Sequence, residues 1–177
     1  MKKIAKPDYT EHAVYYEQFI AKVQPDGLVL DQLKNQQAEV LDLLTNTAAT
    51  WLNRPYAPDK WSILDIIQHL IDCERVFVYR AMRFARNDRS PLPFFDENEF
   101  AREARVNGLT AKRLAKEFKT NRQATIAFFA NLSAAALKRK GIASQFTMSV
   151  RASAWIIAGH ERHHLDVIRA RYPLTEK

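Results

Sequence analysis

Cysteine is almost absent from this 177-residue chain: Cys73 stands alone, so no internal disulfide can form and the core itself must hold the fold. A lone cysteine also fits a reducing compartment. Glycine is scarce too, at four residues, and no segment is dense in glycine and proline. That argues against a fold built on many tight β-turns. No apolar run approaches the roughly 20 residues that cross a bilayer. Met1-Lys2-Lys3-Ile4 leads into polar sequence, not into the apolar stretch of a signal peptide. Together these gaps predict a cytoplasmic protein with no membrane partner. Acidic residues thin out along the chain: residues 1–101 carry 15 Asp and Glu against 12 Lys and Arg, and residues 102–177 only 5 against 15. The basic residues are spaced along amphipathic segments and form no block. This argues against nucleic acid, and for a solvated face or a small anionic substrate.

What the chain does contain is helical periodicity. With 47% apolar residues it is long enough to bury a sizeable core as a single domain over residues 1–177. A short helix is expected from Thr10 to Val23, stopped by Pro25-Asp26-Gly27. Apolar positions from Leu30 to Trp51 predict a first long helix over Leu28–Leu52. After a loop fixed by Pro55 and Pro58, Ser62 and Asp65 form a capping box for a second, running to about Asn87. Asp88 to Gly108 is a connection with a short helical turn near Phe94–Phe100. Thr110 caps a third long helix ending near Leu132, with Leu114, Phe118, Ala124, Thr125, Phe128 and Phe129 as core candidates. A second connection, with Gly141 in a basic turn, leads to a fourth helix from Ser149 to Tyr172 that Pro173 stops. The expected class is all-α: a four-helix bundle with a short extra N-terminal helix and long connections.

Three of the five histidines crowd into Gly159-His160-Glu161-Arg162-His163-His164 on the fourth helix. His160 and His164 lie one turn apart on the face that carries Ile156, Ile157, Val167 and Ile168. Two imidazoles so placed can supply two ligands to one metal ion. His163 falls at the margin of that face. On the second helix His69 sits at the edge of the core stripe, where it can reach a neighbouring helix. His69, His160 and His164 would then form a three-histidine site that leaves a coordination position for water or substrate. Cys73, one turn from His69, could point at the same metal, although a small cysteine in an apolar stripe is more often plain packing. His12, in the first turn of the short helix, reads as a surface or packing residue.

His160-Glu161-Arg162-His163-His164 also satisfies H-E-x-x-H, the zinc metalloprotease pattern in which glutamate is the general base. That pattern needs a third ligand. Only 13 residues follow His164, without a histidine; Ala170 stands where the longer signature has one, and beyond Pro173, outside the helix, Glu176 is the only candidate carboxylate. Glu161 lies about 100° from His160, toward the outside of the stripe. The match is therefore read as accidental.

Tyr56-Ala57-Pro58-Asp59-Lys60-Trp61-Ser62, His69-Leu70, Asp72, Glu74-Arg75 and the terminal histidine cluster resemble the DinB-like four-helix-bundle family, over about Asp26 to Tyr172. The resemblance implies a divalent metal, zinc or nickel, on the residues matching His69, His160 and His164. It also implies a bacterial protein, frequently a homodimer, that acts on small-molecule substrates. Relatives include S-transferases that use low-molecular-weight thiols such as bacillithiol or mycothiol. In that chemistry the metal holds the thiol as a thiolate, which attacks an electrophilic carbon of a second substrate. Arg80 and Arg162 are the candidates for holding a cofactor's carboxylates. The alternative enzyme is a metal-dependent hydrolase with Glu161, Glu74 or His163 as base. A third reading is a non-catalytic, metal-stabilised binding module.

Overall fold

Ser62, Thr110 and Ser149 each precede a long helix, and each hydroxyl accepts a backbone N–H three residues on: from Asp65 (3.2 Å), Arg113 (3.3 Å) and Ala152 (3.0 Å). The Asp65 carboxylate reaches back to the Ser62 N–H at 2.8 Å, which completes the expected capping box. The computed structural model describes residues 2–104, 108–172 and 174, so Pro173 and Glu176 lie outside the described residues. The elements in chain order are α1 (Glu17–Ile20), α2 (Val29–Asn46), α3 (Ala49–Leu52), α4 (Ile63–Ala85), α5 (Glu97–Ala104), α6 (Ala111–Ala130), α7 (Ala134–Leu137), β1 (Lys140–Ala143), β2 (Phe146–Ser149) and α8 (Val150–Arg171). The four long ones, α2, α4, α6 and α8, form the expected bundle.

Their arrangement around the core places the site. α4 packs most extensively on α8, and α2 on α6; α4 also meets α6, and α2 meets α8. α2 and α4, consecutive long helices, therefore stand diagonally across the bundle, as do α6 and α8. The broad α4–α8 seam carries His69 toward the histidines of α8. Two apolar clusters fill the interior. One gathers Phe77, Phe84, Trp155 and Ile156; the other gathers Ile67, Phe118, Leu165 and Ile168. On α8 the first cluster ends at Ala158 and the second begins at Leu165. Polar groups occupy the layer between them.

Two expected helices are corrected. The helix expected over Thr10–Val23 is two 3-10 turns, Tyr9–Glu11 and Val14–Tyr16, followed by the single turn α1. His12 and Ala13 are extended between them, because Glu11 accepts a hydrogen bond from Arg151 of α8 (2.7 Å) and the His12 ring meets the Ala13 carbonyl (3.1 Å). Both Glu11 and His12 are buried. The helix expected over Leu28–Leu52 breaks at Thr47, which is extended. Just before the break Thr45 donates its hydroxyl to the Leu41 carbonyl (2.8 Å), a side-chain-to-backbone bond of the kind that bends helices.

The second connection holds a β-hairpin, not an irregular loop. Ser144 and Gln145 make its two-residue turn with φ of 52° and 71°, without the Asn-Gly signature that would have announced it. Gly141 lies in β1, not in a turn. A Cβ there would come within 2.0 Å of the Phe84 ring, so the strand can lie on α4 only through glycine. Leu92 joins the hairpin, donating to the Ile142 carbonyl (2.9 Å) and accepting from the Ser144 N–H (3.0 Å). On α6, Leu114, Phe118, Thr125 and Phe129 are buried as expected, while Ala124 is exposed and Phe128 half-buried.

Candidate metal centre

α4 presents His69 and α8 presents His160 and His164, one turn apart. The Nε2 atoms of His69 and His160 stand 3.1 Å apart, as do those of His164 and His160. One ligating nitrogen from each ring falls within 4.8 Å of the others. Two nitrogens bound to one ion at about 2.0–2.1 Å, at angles between about 90° and 110°, stand roughly 2.9–3.4 Å apart. The two 3.1 Å spacings fall in that range, so these three side chains could hold a divalent transition metal.

Neighbouring rings hold the imidazoles in place. Trp61, just before the α4 cap, tilts over His69 (4.7 Å between centroids) and stacks near His164 (6.4 Å, 24° between planes). Phe19 of α1 meets His160 and His163 edge-on at 5.1 and 5.5 Å. Gly159 makes that approach possible, since a Cβ there would lie 2.0 Å from the Phe19 carbonyl oxygen. Aromatic packing sets the ring orientations in place of hydrogen-bonded carboxylates.

Burial keeps the imidazoles neutral. It pushes His69 down to about 4, and His164 to about 3 with help from His69 and His163. His160 is driven well below its usual value by burial and then by His164, His69 and His163, and His163 is lowered by burial and then Lys22. A neutral imidazole is the form that binds metal. The stability consequence follows from the sign of these shifts. Below about pH 6.5 the unfolded chain takes up protons that the folded histidines refuse, so stability falls as pH falls, down to the folded values. Each such histidine costs up to about 1.4 kcal/mol per pH unit in that window. Metal-free protein is expected to melt several degrees lower at pH 5.5 than at pH 7. A flat melting profile in that range would show that the rings reach bulk water.

Cys73 lies 3.6 Å from His69 Nδ1 and stands outside the three-histidine group. Burial pushes its thiol up to about 12, so it packs against His69 as a neutral thiol. The histidines open into a cavity of about 480 Å³ with aromatic walls: Tyr15, Tyr16, Phe19, Trp61, Phe77, Phe94, Phe95 and Phe146. His163 and Cys73 also line it, and among the described residues Glu97 of α5 is the only carboxylate in the lining.

The other candidates sit elsewhere. Glu161 does not face outward as its angle from His160 suggested; it is buried and pairs with Arg122 of α6, away from the cavity lining. The reason is that α8 is buried on nearly every side from Val150 to Gly159, so 100° from His160 is still interior. Glu74 is buried against the same guanidinium, at 2.8 Å. Arg162 is taken up by Glu39 (2.9 Å) and Asp166 (2.8 Å) and does not line the cavity. Arg80 is buried behind the cavity wall, donating to the Pro93 carbonyl and the Ser144 hydroxyl, both at 2.8 Å.

The sequence model of the DinB superfamily matches residues 32–168. The chain belongs to the DinB superfamily. No curated protein matches it in sequence. Among solved structures this DinB member is similar to YfiT from Bacillus subtilis, described as a probable metal-dependent hydrolase with an unusual four-helix bundle topology. The TM-score is 0.68 at 13% identity, over 93% of this chain and 92% of that one. It is also similar to a mycothiol-dependent maleylpyruvate isomerase, with a TM-score of 0.62 at 13% identity over 77% of this chain; the match spans 57% of that longer chain. At these identities the likeness shows the shared fold alone.

Several residues that shape the DinB site escaped the sequence reading. Phe19 and Tyr16 belong to a segment misread as one helix, and Phe146 to a hairpin read as a loop. Glu97 lies in the connection for which only a short helical turn is expected, with nothing to aim its side chain. Trp61 was visible only as part of the resemblance.

Proposed function

We propose that this chain is a metal-dependent enzyme for small organic molecules, a low-molecular-weight-thiol S-transferase with His69, His160 and His164 as the ligands. The observation that carries the reading is the convergence of three neutral imidazoles on one wall of an aromatic cavity. Zinc or nickel held there would lower the pKa of a bound thiol so that it is a nucleophile at neutral pH. The protein's own part is to orient the rings through Trp61 and Phe19, to exclude water, and to seat the organic portions of both reactants against aromatic faces. Cys73 is no nucleophile in this reading, because burial keeps it protonated. A homodimer, implied by the family resemblance, belongs to the same proposal.

A thiolate needs no protein base beside it, and the glutamates that share the histidines' helices, Glu74 and Glu161, are committed to Arg122. Metal-dependent hydrolysis is the second reading, favoured by His163 and Glu97 in the cavity wall, either of which could take a proton from water. The test is turnover of the metal-loaded protein on monochlorobimane and on p-nitrophenyl acetate, with and without bacillithiol, mycothiol, cysteine or coenzyme A. Conjugation at least about tenfold above the uncatalysed rate, requiring both metal and one thiol, is expected. Ester turnover that needs metal but no thiol would transfer the case to the hydrolase. Metal-dependent melting with neither activity would leave a binding module.

A further inference from the structure

Arg80 is a charged side chain that this fold buries without giving it an anion. It is 2% exposed, and among the described residues no carboxylate pairs with it. Nη2 is occupied by the Pro93 carbonyl and the Ser144 hydroxyl, but Nη1 is buried without a hydrogen-bond partner among the described residues. The other fully buried arginine, Arg122, has two carboxylates and a carbonyl around it. A buried cation left without a counter-charge is costly and is rarely kept for packing alone.

Its position connects it to the histidines. His69, Cys73, Phe77 and Arg80 follow one another on a single face of α4, at steps of four, four and three. His69, Cys73 and Phe77 line the cavity. The guanidinium carbon lies 5.3 Å from the centroid of Phe95 and 6.0 Å from that of Phe77. Ser144, which it hydrogen-bonds, is a lining residue as well, and so is Tyr16, whose hydroxyl it also meets. Arg80 thus backs the end of the cavity remote from His69, with the two Cα positions roughly 16 Å apart along the helix axis.

We infer that this remote end is an anion subsite, in which Arg80 Nη1, beside the Tyr16 and Ser144 hydroxyls, binds the carboxylate of an elongated, largely apolar molecule whose other end reaches the three histidines. The inference rests on the proposed metal centre for the second half of that statement only. Such a molecule is either the thiol itself or its electrophilic partner. Both share the chemistry of a carboxylate at one cavity length from the reacting atom, with an apolar or aromatic middle for the walls.

The test begins without metal. Chelator-treated protein is titrated by calorimetry with 4-phenylbutyrate and with its uncharged amide, 4-phenylbutanamide. The carboxylate is expected to bind at least about tenfold tighter in the wild type, and no tighter in Arg80→Gln. Arg80→Lys, which keeps a cation in the same space, is expected to retain part of the preference, and it decides the matter if Arg80→Gln fails to fold. Equal affinities in the wild type, or a preference that survives Arg80→Gln, would overturn the subsite whatever the histidines bind. Cobalt-loaded protein then distinguishes the sources, through the thiolate-to-metal absorption band. If the thiol carries the carboxylate, 11-mercaptoundecanoate outbinds 11-mercaptoundecanol and 3-mercaptopropionate by tenfold or more. A preference confined to phenylbutyrate assigns the carboxylate to the second substrate. Loss of the cobalt band with the phenylbutyrate preference intact would refute the metal centre and leave the anion subsite standing.

Discussion

Arg122→Met is expected to destabilise the protein by about 3–5 kcal/mol, the cost of leaving buried carboxylates without their counter-charge. Arg122 is fully buried. It donates to Glu74 through Nε (3.0 Å) and Nη2 (2.8 Å), to Glu161 through Nη1 (3.3 Å) and Nη2, and to the Leu33 carbonyl (3.0 Å). One guanidinium therefore ties α6 to α4, α8 and α2, in the layer between the two apolar clusters. Burial alone would weaken its charge; Glu161 and Glu74 outweigh that and hold its pKa above the usual value. Burial pushes Glu161 up against the opposing pull of Arg122, so removing the arginine lets that rise go unchecked. Urea unfolding of the variant measures the effect. The full replacement Arg122→Met with Glu74→Leu and Glu161→Leu is expected to recover most of the loss, because it removes the stranded charges as well as the pair. An Arg122→Met protein within about 1 kcal/mol of wild type would mean that water reaches this layer and the triad is not sealed.

That triad marks where sequence reading succeeds and where it stops. The class, the four long helices and the Ser62–Asp65 capping box were legible, because each depends on near neighbours in the chain: apolar periodicity, a hydroxyl before the first turn, a carboxylate three residues on. The histidine pair on α8 was legible for the same reason, and His69 joined it through the ordinary habit of bundles to face their helices inward. Glu161 was misplaced because α8 is buried on nearly every side there, and its partner Arg122 lies 39 residues away on a helix whose inward side no local pattern announces. The break at Thr47, with no glycine or proline to mark it, and the hairpin at Ser144-Gln145, whose left-handed turn lacks glycine, were missed because neither carries a strong composition signal. Most of the cavity wall comes from such segments. The convergence of His69, His160 and His164 could be read from the sequence, but the shape of the cavity they face could not.

His160→Ala is expected to abolish metal binding, since His160 is the ring both other histidines approach. Its Nε2 lies 3.1 Å from His69 Nε2 and from His164 Nε2, so its loss leaves two ligands on different helices with nothing to close the triangle. Even outer partners of a metal site are worth roughly 10–100-fold in affinity, and a ligand is worth more. Wild-type protein purified without chelator and incubated with zinc or nickel is expected to carry near one ion per chain by elemental analysis, and the variant close to none. Melting supplies an independent readout. At free zinc a thousandfold above its Kd, a site present only in the folded state adds about 4 kcal/mol, which raises the melting temperature of a chain this size by roughly 8–16 °C. The variant should show no such rise while melting cooperatively, because the ring faces the cavity and its removal opens no void in either apolar cluster. His163→Ala serves as the control: His163 lines the cavity but stands outside the three-histidine group, so the ion and the thermal shift should both persist. A wild type that takes up neither metal, or a His160→Ala protein that keeps a full equivalent, would remove the metal centre from this chain. The neutral imidazoles would then stand as polar packing between Trp61 and Phe19.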